Sequence, residues 1–279
     1  MLNNVLIPKE VLEAEVIFVS HSGGKDSQAM LAHLVKLGLK DKCVVVHADM
    51  GDMEWEPMHN WIESISFGLP VNVVKSDMDF FSMVRKYQRL PSGQNQFCTD
   101  FLKLQPIAAF IHEYMTKHGL TKAINATGVR ADESPSRKKK IEAKMLKRGD
   151  CHSVELSKMT QPKKFKGHVI HDWNPIAMFN NDRVFLTIAN AGQVPHKIYS
   201  QGFSRLSCVF CVNGRVGEHA LAAKMKPELF NRVVELEKEI GRGYRIQTIK
   251  GQKFAKFLDG TTGPRIISKE EKEAAALCG

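Results

Sequence analysis

Three groups of residues in this chain have types and spacings that could do chemistry. In IFVSHSGGKDSQAML, residues 17–31, an apolar run passes through Ser22, Gly23, Gly24, Lys25, Asp26 and Ser27 into a stretch with helical periodicity. A glycine-rich turn between a buried strand and a helix gathers backbone N–H groups and the positive end of the helix dipole at one spot, where a phosphate can approach closely. Lys25 adds a mobile positive charge, and Ser22 and Ser27 add hydroxyl donors. The spacing is not G-x-x-x-x-G-K-[ST], so this turn is not a Walker A loop. Farther along, Cys208 and Cys211 form C-x-x-C in RLSCVFCVNG, a spacing compatible with a metal site or a redox pair. Much of the formal net charge of +10 sits in SRKKKIEAKMLKRG and SKMTQPKKFKGH. Such a surface favours polyanions, nucleic acid among them, although a solvated loop and helix face would carry the same charge.

Those groups need a scaffold. Apolar, β-rich runs alternate with helical patterns, the signature of an α/β protein with a mainly parallel sheet and helices on both faces. EVIFVS predicts the first strand, and SQAMLAHLVKLGL a helix closed by Gly38. KCVVVHAD, VNVVKS and KAINATGVR predict three further strands; EPMHNWIESISFG and FLKLQPIAAFIHEYMTKHG, the latter with an internal proline, predict helices. After residue 150 the pattern weakens, with helices expected at RVFLTIANAG and KPELFNRVVELEKEIG and an irregular C-terminal extension beyond them. With 279 residues the chain can bury one sizeable core, and the expected division is a nucleotide-binding domain over 1–205 and a C-x-x-C segment, helices and tail over 206–279. There is no membrane-length apolar run and no signal-peptide pattern at the start, so a cytoplasmic protein without membrane contact is expected. In that reducing setting six cysteines point to metal or thiol chemistry rather than disulfides. Cys43 reads as a core residue, Cys151 as a stray thiol, His21 and His47 as hydrogen-bonded structural histidines, and Trp55 and Trp173 as packing residues.

SGGKDS resembles the PP-loop of N-type ATP pyrophosphatases, which cleave ATP between the α and β phosphates and use the adenylate to activate a carbonyl-type oxygen. ATGVRADESPSRK, residues 126–138, resembles the G-x-R-x-x-E-S-x-x-R segment of the phosphoadenosine phosphosulfate (PAPS) reductase superfamily. WNPIAMFNNDRVFLTIANAGQVPHKIYSQGFSRLSCVFC is similar to that superfamily's run from W-x-P-I through a helix to G-x-P-x-x-x-Y and cysteines. The resemblance implies the adenine nucleotide alpha hydrolase-like fold, with ATP and Mg²⁺, or PAPS or adenosine phosphosulfate, bound by Ser22, Gly23, Gly24, Lys25, Asp26 and Ser27. It extends the nucleotide site to Asp49 in HADMGDMEW, to Gly128, Arg130 and Arg137 as a clamp for phosphate or sulfate oxygens, and to Glu133 and Ser134 as supports of that loop. Lys25, Asp26 and Cys278 are its implied catalytic residues.

Cys98 lies in FCTDFLKLQP, which resembles the family's C-x-x-x-x-K-x-x-P segment. With Cys208 and Cys211 it implies a [4Fe–4S] cluster held by three thiolates with one iron open to sulfide; a zinc site and no metal are the alternatives. Cys278, beside Gly279, matches only the Cys-Gly pair of the E-C-G-L-H setting in which sulfonucleotide reductases carry their nucleophile. Three readings follow. One is an iron–sulfur ATP pyrophosphatase that adenylates an acceptor, nucleic acid being a candidate, and receives sulfur from a donor protein. The second is a sulfonucleotide reductase that releases sulfite and draws electrons from a thioredoxin-like donor. The third is a nucleotide-sensing module without turnover.

Overall fold

The computed structural model describes residues 7–160 and 167–241. In chain order the elements are α1 (Lys9–Glu13), β1 (Val16–Ser20), α2 (Lys25–Lys36), β2 (Cys43–Asp49), α3 (Met58–Ser64), β3 (Val71–Lys75), α4 (Phe80–Tyr87) and α5 (Phe97–Thr99). They continue with α6 (Gln105–Lys117), β4 (Lys122–Ala126), α7 (Pro135–Arg148), β5 (Val154–Leu156), β6 (Val169–Trp173), α8 (Asn181–Asn190), α9 (Val216–Met225) and α10 (Pro227–Ile240). The strands form one six-stranded sheet in the order β3-β2-β1-β4-β6-β5. β1 runs parallel to β2 and β4, β4 runs parallel to β6, and β5 lies antiparallel at the edge. This is the mainly parallel α/β fold that the alternation of apolar runs predicts.

The chain folds as two compact units built from interleaved segments. Among the described residues, unit 1 takes 7–47, His59–Val74 and Ile107–His196; unit 2 takes Ala48–Met58, Lys75–Pro106 and 197–241. The sequence suggests instead a single cut near residue 205.

Unit 1 holds the sheet. β1 is central and apolar along its length, with Ile17, Phe18 and Val19 fully buried, as a parallel strand covered on both faces requires. α2 buries Met30, Leu31 and Leu34 and ends before Gly38, whose φ of +75° suits glycine. β5 and β6 are the strands that the weak pattern after residue 150 hides. β6 carries His171 and Asp172 among its apolar residues, and the polar atoms are satisfied within the sheet: Ser20 Oγ donates to Asn125 Oδ1 at 3.1 Å, and Asn125 Nδ2 donates to Asp172 Oδ1 at 2.7 Å. Asn125 and Asp172 stand opposite each other in the β4–β6 register.

Unit 2 is built around a core that includes Met53, Phe80, Met83, Phe97, Phe210 and Leu236. α4 is amphipathic and capped by Asp79, whose carboxylate accepts from the Ser82 N–H at 2.8 Å. Phe97–Lys117 is a continuous helical run interrupted by a π-helical turn over Asp100–Leu104. The widened turn directly precedes Pro106, which lacks an N–H and crowds the carbonyl four residues back.

Candidate functional site

The turn of unit 1 is fixed by its own atoms. Gly23 has φ +78°, a left-handed conformation that a side chain would strain. The Gly23 N–H donates to His21 Nδ1 at 3.1 Å, and the Ser22 N–H donates to Ser27 Oγ at 3.2 Å. Ser27 Oγ in turn donates to the Gly24 carbonyl at 2.9 Å. Trp61 Nε1 donates to the Gly23 carbonyl at 2.9 Å, tying α3 to the turn. His21 is buried, and burial, with His47 nearby, pushes its pKa down to about 3. It is therefore neutral at physiological pH, and because Nδ1 accepts a bond, its proton sits on Nε2. The His47 Nδ1–H donates to the His21 carbonyl at 3.0 Å, so both histidines are hydrogen-bonded at the turn. With the turn braced in this way, the first-turn N–H groups of α2, which have no acceptors within the helix, define the positive end of the element.

Side chains add a buried charge relay. Lys25 is only 5% exposed, and its Nζ lies 3.1 and 2.9 Å from the two carboxylate oxygens of Asp26. Burial lowers the Lys25 pKa and Asp26 opposes that shift. On the other side, Arg130 Nε donates to Asp26 Oδ1 at 2.7 Å. Arg130 is 2% exposed; its other donors go to the Phe179 carbonyl at 2.9 Å, Asp132 Oδ2 at 3.4 Å and Asn181 Oδ1 at 3.0 Å. Its guanidinium thus faces inward and positions Asp26, rather than standing open as a clamp. The Arg130 N–H donates to Glu133 Oε2 at 2.9 Å, Glu133 pairs with Arg137, and Ser134 Oγ caps α7 by accepting from the Arg137 N–H at 3.2 Å. Gly128 is needed for close approach: a Cβ there would lie 2.9 Å from the Asp26 carbonyl carbon and 3.0 Å from the Ser27 nitrogen. Ser22–Ser27, Gly128, Arg130, Glu133, Ser134 and Arg137 therefore form one constellation at a helix N-terminus, braced by ion pairs.

Unit 2 carries the second constellation. Cys98, Cys208 and Cys211 line one cavity together with Lys103, Met50, Met53 and Phe80. At 100° per residue, Cys98 and Lys103 would point about 140° apart on an α-helix; the intervening π turn narrows that angle. Burial pushes the Cys208 thiol up to about 11, with Lys103 opposing, and burial also raises Cys98. Lys103 is itself raised, first by Cys208. The C-x-x-C turn is fastened from α9, where the His219 Nε2–H donates to the Cys211 carbonyl at 2.8 Å. Gly214 leaves room for that bond, since a Cβ there would lie 2.5 Å from His219 Nε2. Among the described residues no three His, Cys, Asp or Glu side chains converge closely enough to hold a single metal ion. The donor set does fit an anionic iron–sulfur group: three thiols, one ammonium for charge balance and apolar walls.

The remaining expected residues are Asp49, which belongs to unit 2, and Cys278. Asp49, the last residue of β2, accepts from the Gly51 N–H at 2.7 Å and faces Lys75 Nζ at 3.6 Å within unit 2. Cys278 lies outside the described residues. Cys43 is buried, with its pKa pushed up to about 12, Cys151 is exposed, and Trp55 and Trp173 are both buried. Trp61, Asn181 and His219 carry no motif that would single them out in the sequence. Lys103 stands in the quoted C-x-x-x-x-K-x-x-P segment, and its signal was available there.

The family model described as the phosphoadenosine phosphosulfate reductase domain matches residues 16–213. The chain belongs to that family. The match takes in both constellations, from β1 through the C-x-x-C turn. Two uncharacterized proteins of Methanocaldococcus jannaschii are each 24% identical to this family member, over 77% and 81% of its length and 40% and 48% of their own. The chain thus spans under half the length of these curated relatives. The phosphoadenylyl-sulfate reductase of Candida auris, solved as a phosphate complex, is similar over 71% of this chain and 83% of its own, with a TM-score of 0.42 and 11% identity. No helix among the described residues is long and apolar enough to cross a membrane.

Proposed function

We propose that this family member is an iron–sulfur ATP pyrophosphatase that activates an acceptor for sulfur transfer. In this reading an acceptor oxygen attacks the α phosphorus of Mg²⁺-bound ATP, a new P–O bond forms, the bond to the α,β-bridging oxygen breaks, and pyrophosphate leaves carrying that electron pair. The turn at Ser22–Ser27 holds the departing phosphates through the first-turn N–H groups of α2. Lys25 supplies positive charge where the leaving group gathers negative charge. Arg130 and Gly128 keep Asp26, and with it Lys25, in register. Cys98, Cys208 and Cys211 hold the iron–sulfur cluster, and Lys103 offsets its negative charge. When bound, a [4Fe–4S] cluster with three thiolate ligands supplies an open iron that can carry sulfide. Nucleic acid is the acceptor class that suits the charge of the chain.

The observation that carries this reading is that three cysteines from two segments line one cavity with a lysine, in a chain whose turn has the S-G-G-K-D-S form. A sulfonucleotide reductase is the second reading, and the family match over residues 16–213 favours it. Equilibrium binding of ATP and of PAPS to one anaerobically purified sample with Mg²⁺, with iron and zinc assayed in the same tube, separates the two. Tighter binding of ATP and about four irons per chain are expected. Tighter binding of PAPS, with sulfite released on adding thioredoxin, would overturn the proposal.

A further inference from the structure

We propose that the outer face of α7 is a docking surface for the phosphate backbone of a nucleic acid; this names the partner surface for the function proposed above and rests on that reading only for the identity of the acceptor. α7 is a 14-residue helix, PSRKKKIEAKMLKR, with one acidic residue, Glu142, against seven basic ones. Its inner face packs through Ile141, which is 2% exposed, and Met145 onto Ala131, Ala177 and Val129. Four of the basic residues have carboxylate partners: Arg137 with Glu133, Lys138 with Glu142, Lys144 with Glu155, and Arg148 with Glu10 and Asp150. Lys139, Lys140 and Lys147 are exposed and have no ion pair among the described residues.

At helical spacing these three lysines fall on one outward arc, away from Ile141 and Met145, with Ser136 and Ala143 between them. Lys140 and Lys147 are about 10 Å apart along the axis, so a row of ammonium groups stands beside small residues that let a backbone approach. The positive face suits a polyanion whose charges recur along a line, as phosphates do. A lipid surface is the poorer fit: only Leu146, 84% exposed, offers an apolar side chain beside the row, too little for an interfacial helix. Position within unit 1 supports the same conclusion. α7 is capped by Ser134, next to Glu133, which holds the Arg130 N–H, and Arg130 holds Asp26 of the nucleotide turn. A strand lying on α7 therefore has one end at the segment that braces the nucleotide turn.

The test measures binding of a fluorescein-labelled single-stranded RNA about 24 nucleotides long, the matching DNA and the DNA duplex, at several salt concentrations. It uses the full chain, the triple variant Lys139→Gln, Lys140→Gln, Lys147→Gln, and a control triple at other exposed lysines, Lys36→Gln, Lys117→Gln, Lys224→Gln. The expected result is at least one probe bound by the unsubstituted chain, an affinity loss of tenfold or more in the α7 triple, and a fall of about 2 to 3 in the slope of log K against log salt. The control triple should stay within about twofold. Equal losses in both triples, no binding of any probe, or preference for phosphatidylserine vesicles would each overturn the proposal. Thermal melts of both triples separate lost binding from lost folding, and ATP affinity is measured on the same samples. Oligonucleotide binding that depends on α7 without ATP binding would defeat the pyrophosphatase reading and leave the surface standing; ATP turnover without oligonucleotide binding would do the reverse.

Discussion

Each of the two constellations contains a lysine, buried in the case of Lys25 and partly buried in the case of Lys103, and the two lysines are compensated in opposite ways. Lys25 of the nucleotide turn lies against Asp26, which Arg130 holds from the other side, so burial and pairing work against each other and burial wins in lowering its pKa. Lys103 of the cysteine cavity has its pKa raised instead, and the first cause is a thiol, Cys208. In the first case the protein supplies the counter-charge before any ligand arrives. In the second, the largest counter-charge appears as thiols become thiolates, with Glu54 adding a smaller share. The Ser22–Ser27 turn is therefore set by ion pairs and backbone geometry, whereas the charge of the cavity depends on the ionisation of its sulfurs.

That contrast makes Arg130→Ala the most damaging single change. Arg130 is buried and joins Asp26, the Phe179 carbonyl and Asn181, so its removal takes a donor from the buried Phe179 carbonyl and one of two cations from Asp26. Urea unfolding should show a loss of about 3 to 5 kcal/mol, together with loss of ATP binding. Arg130→Lys keeps the charge but not the fork of donors, and should recover only part of both. A loss below about 1 kcal/mol in the alanine variant would mean that the relay does not organise the turn.

Two glycines sharpen the comparison. In Gly128→Ala the new methyl meets backbone, at 2.9 Å from the Asp26 carbonyl carbon, which has little freedom to yield. In Gly214→Ala it meets His219 Nε2 at 2.5 Å, a side-chain tip, and the Cys211 carbonyl at 3.0 Å. Each should cost about 1 to 3 kcal/mol, Gly128→Ala the more. The functional effects should separate: Gly128→Ala weakens ATP binding and leaves iron content unchanged, while Gly214→Ala lowers iron content and spares ATP binding. Calorimetry and iron assay on the two variants check this, and crossed effects would break the assignment of one chemistry to each constellation.

How much of this was legible in the sequence follows from how each part is built. The nucleotide turn is local, six consecutive residues between a strand and a helix, and local geometry follows from residue type: Gly23 takes the left-handed conformation and Ser27 closes the turn. Gly128 and Arg130 lie about a hundred positions away, and only the family resemblance pointed to them. The contacts of Arg130 with Asp26, the Phe179 carbonyl and Asn181 go beyond that resemblance, because spacing cannot tell which donors a folded chain consumes. β5 and β6 escaped because β6 interrupts its apolar pattern with Asp172, whose polarity is satisfied by Asn125 on the neighbouring strand. The π turn at Asp100–Leu104, which brings Lys103 to the side of Cys98, has only Pro106 as its sequence mark, and a proline in a helix can equally kink it. His219 reaches the Cys211 carbonyl through tertiary packing that no periodicity encodes.

The smallest expected effect tests the cavity most directly. Lys103 favours the thiolate of Cys208, opposing the burial that pushes this thiol up to about 11. Lys103→Met keeps the length of the side chain and removes the charge, so the thiol pKa should rise further. In metal-free protein, alkylation by iodoacetamide follows the thiolate fraction. The rate at Cys208, read by peptide mass spectrometry, should climb with pH between about 8 and 10.5 in the unsubstituted chain. In Lys103→Met the same rise should shift to higher pH, so that at a fixed pH of about 9 the rate falls several-fold. Cys43 provides the internal reference, because burial is the first cause of its raised pKa and Lys103 is not among the causes. A rate at Cys208 that does not change, or that changes in step with Cys43, would mean that Lys103 is not electrostatically coupled to the sulfurs and that the two lysines do not differ as argued.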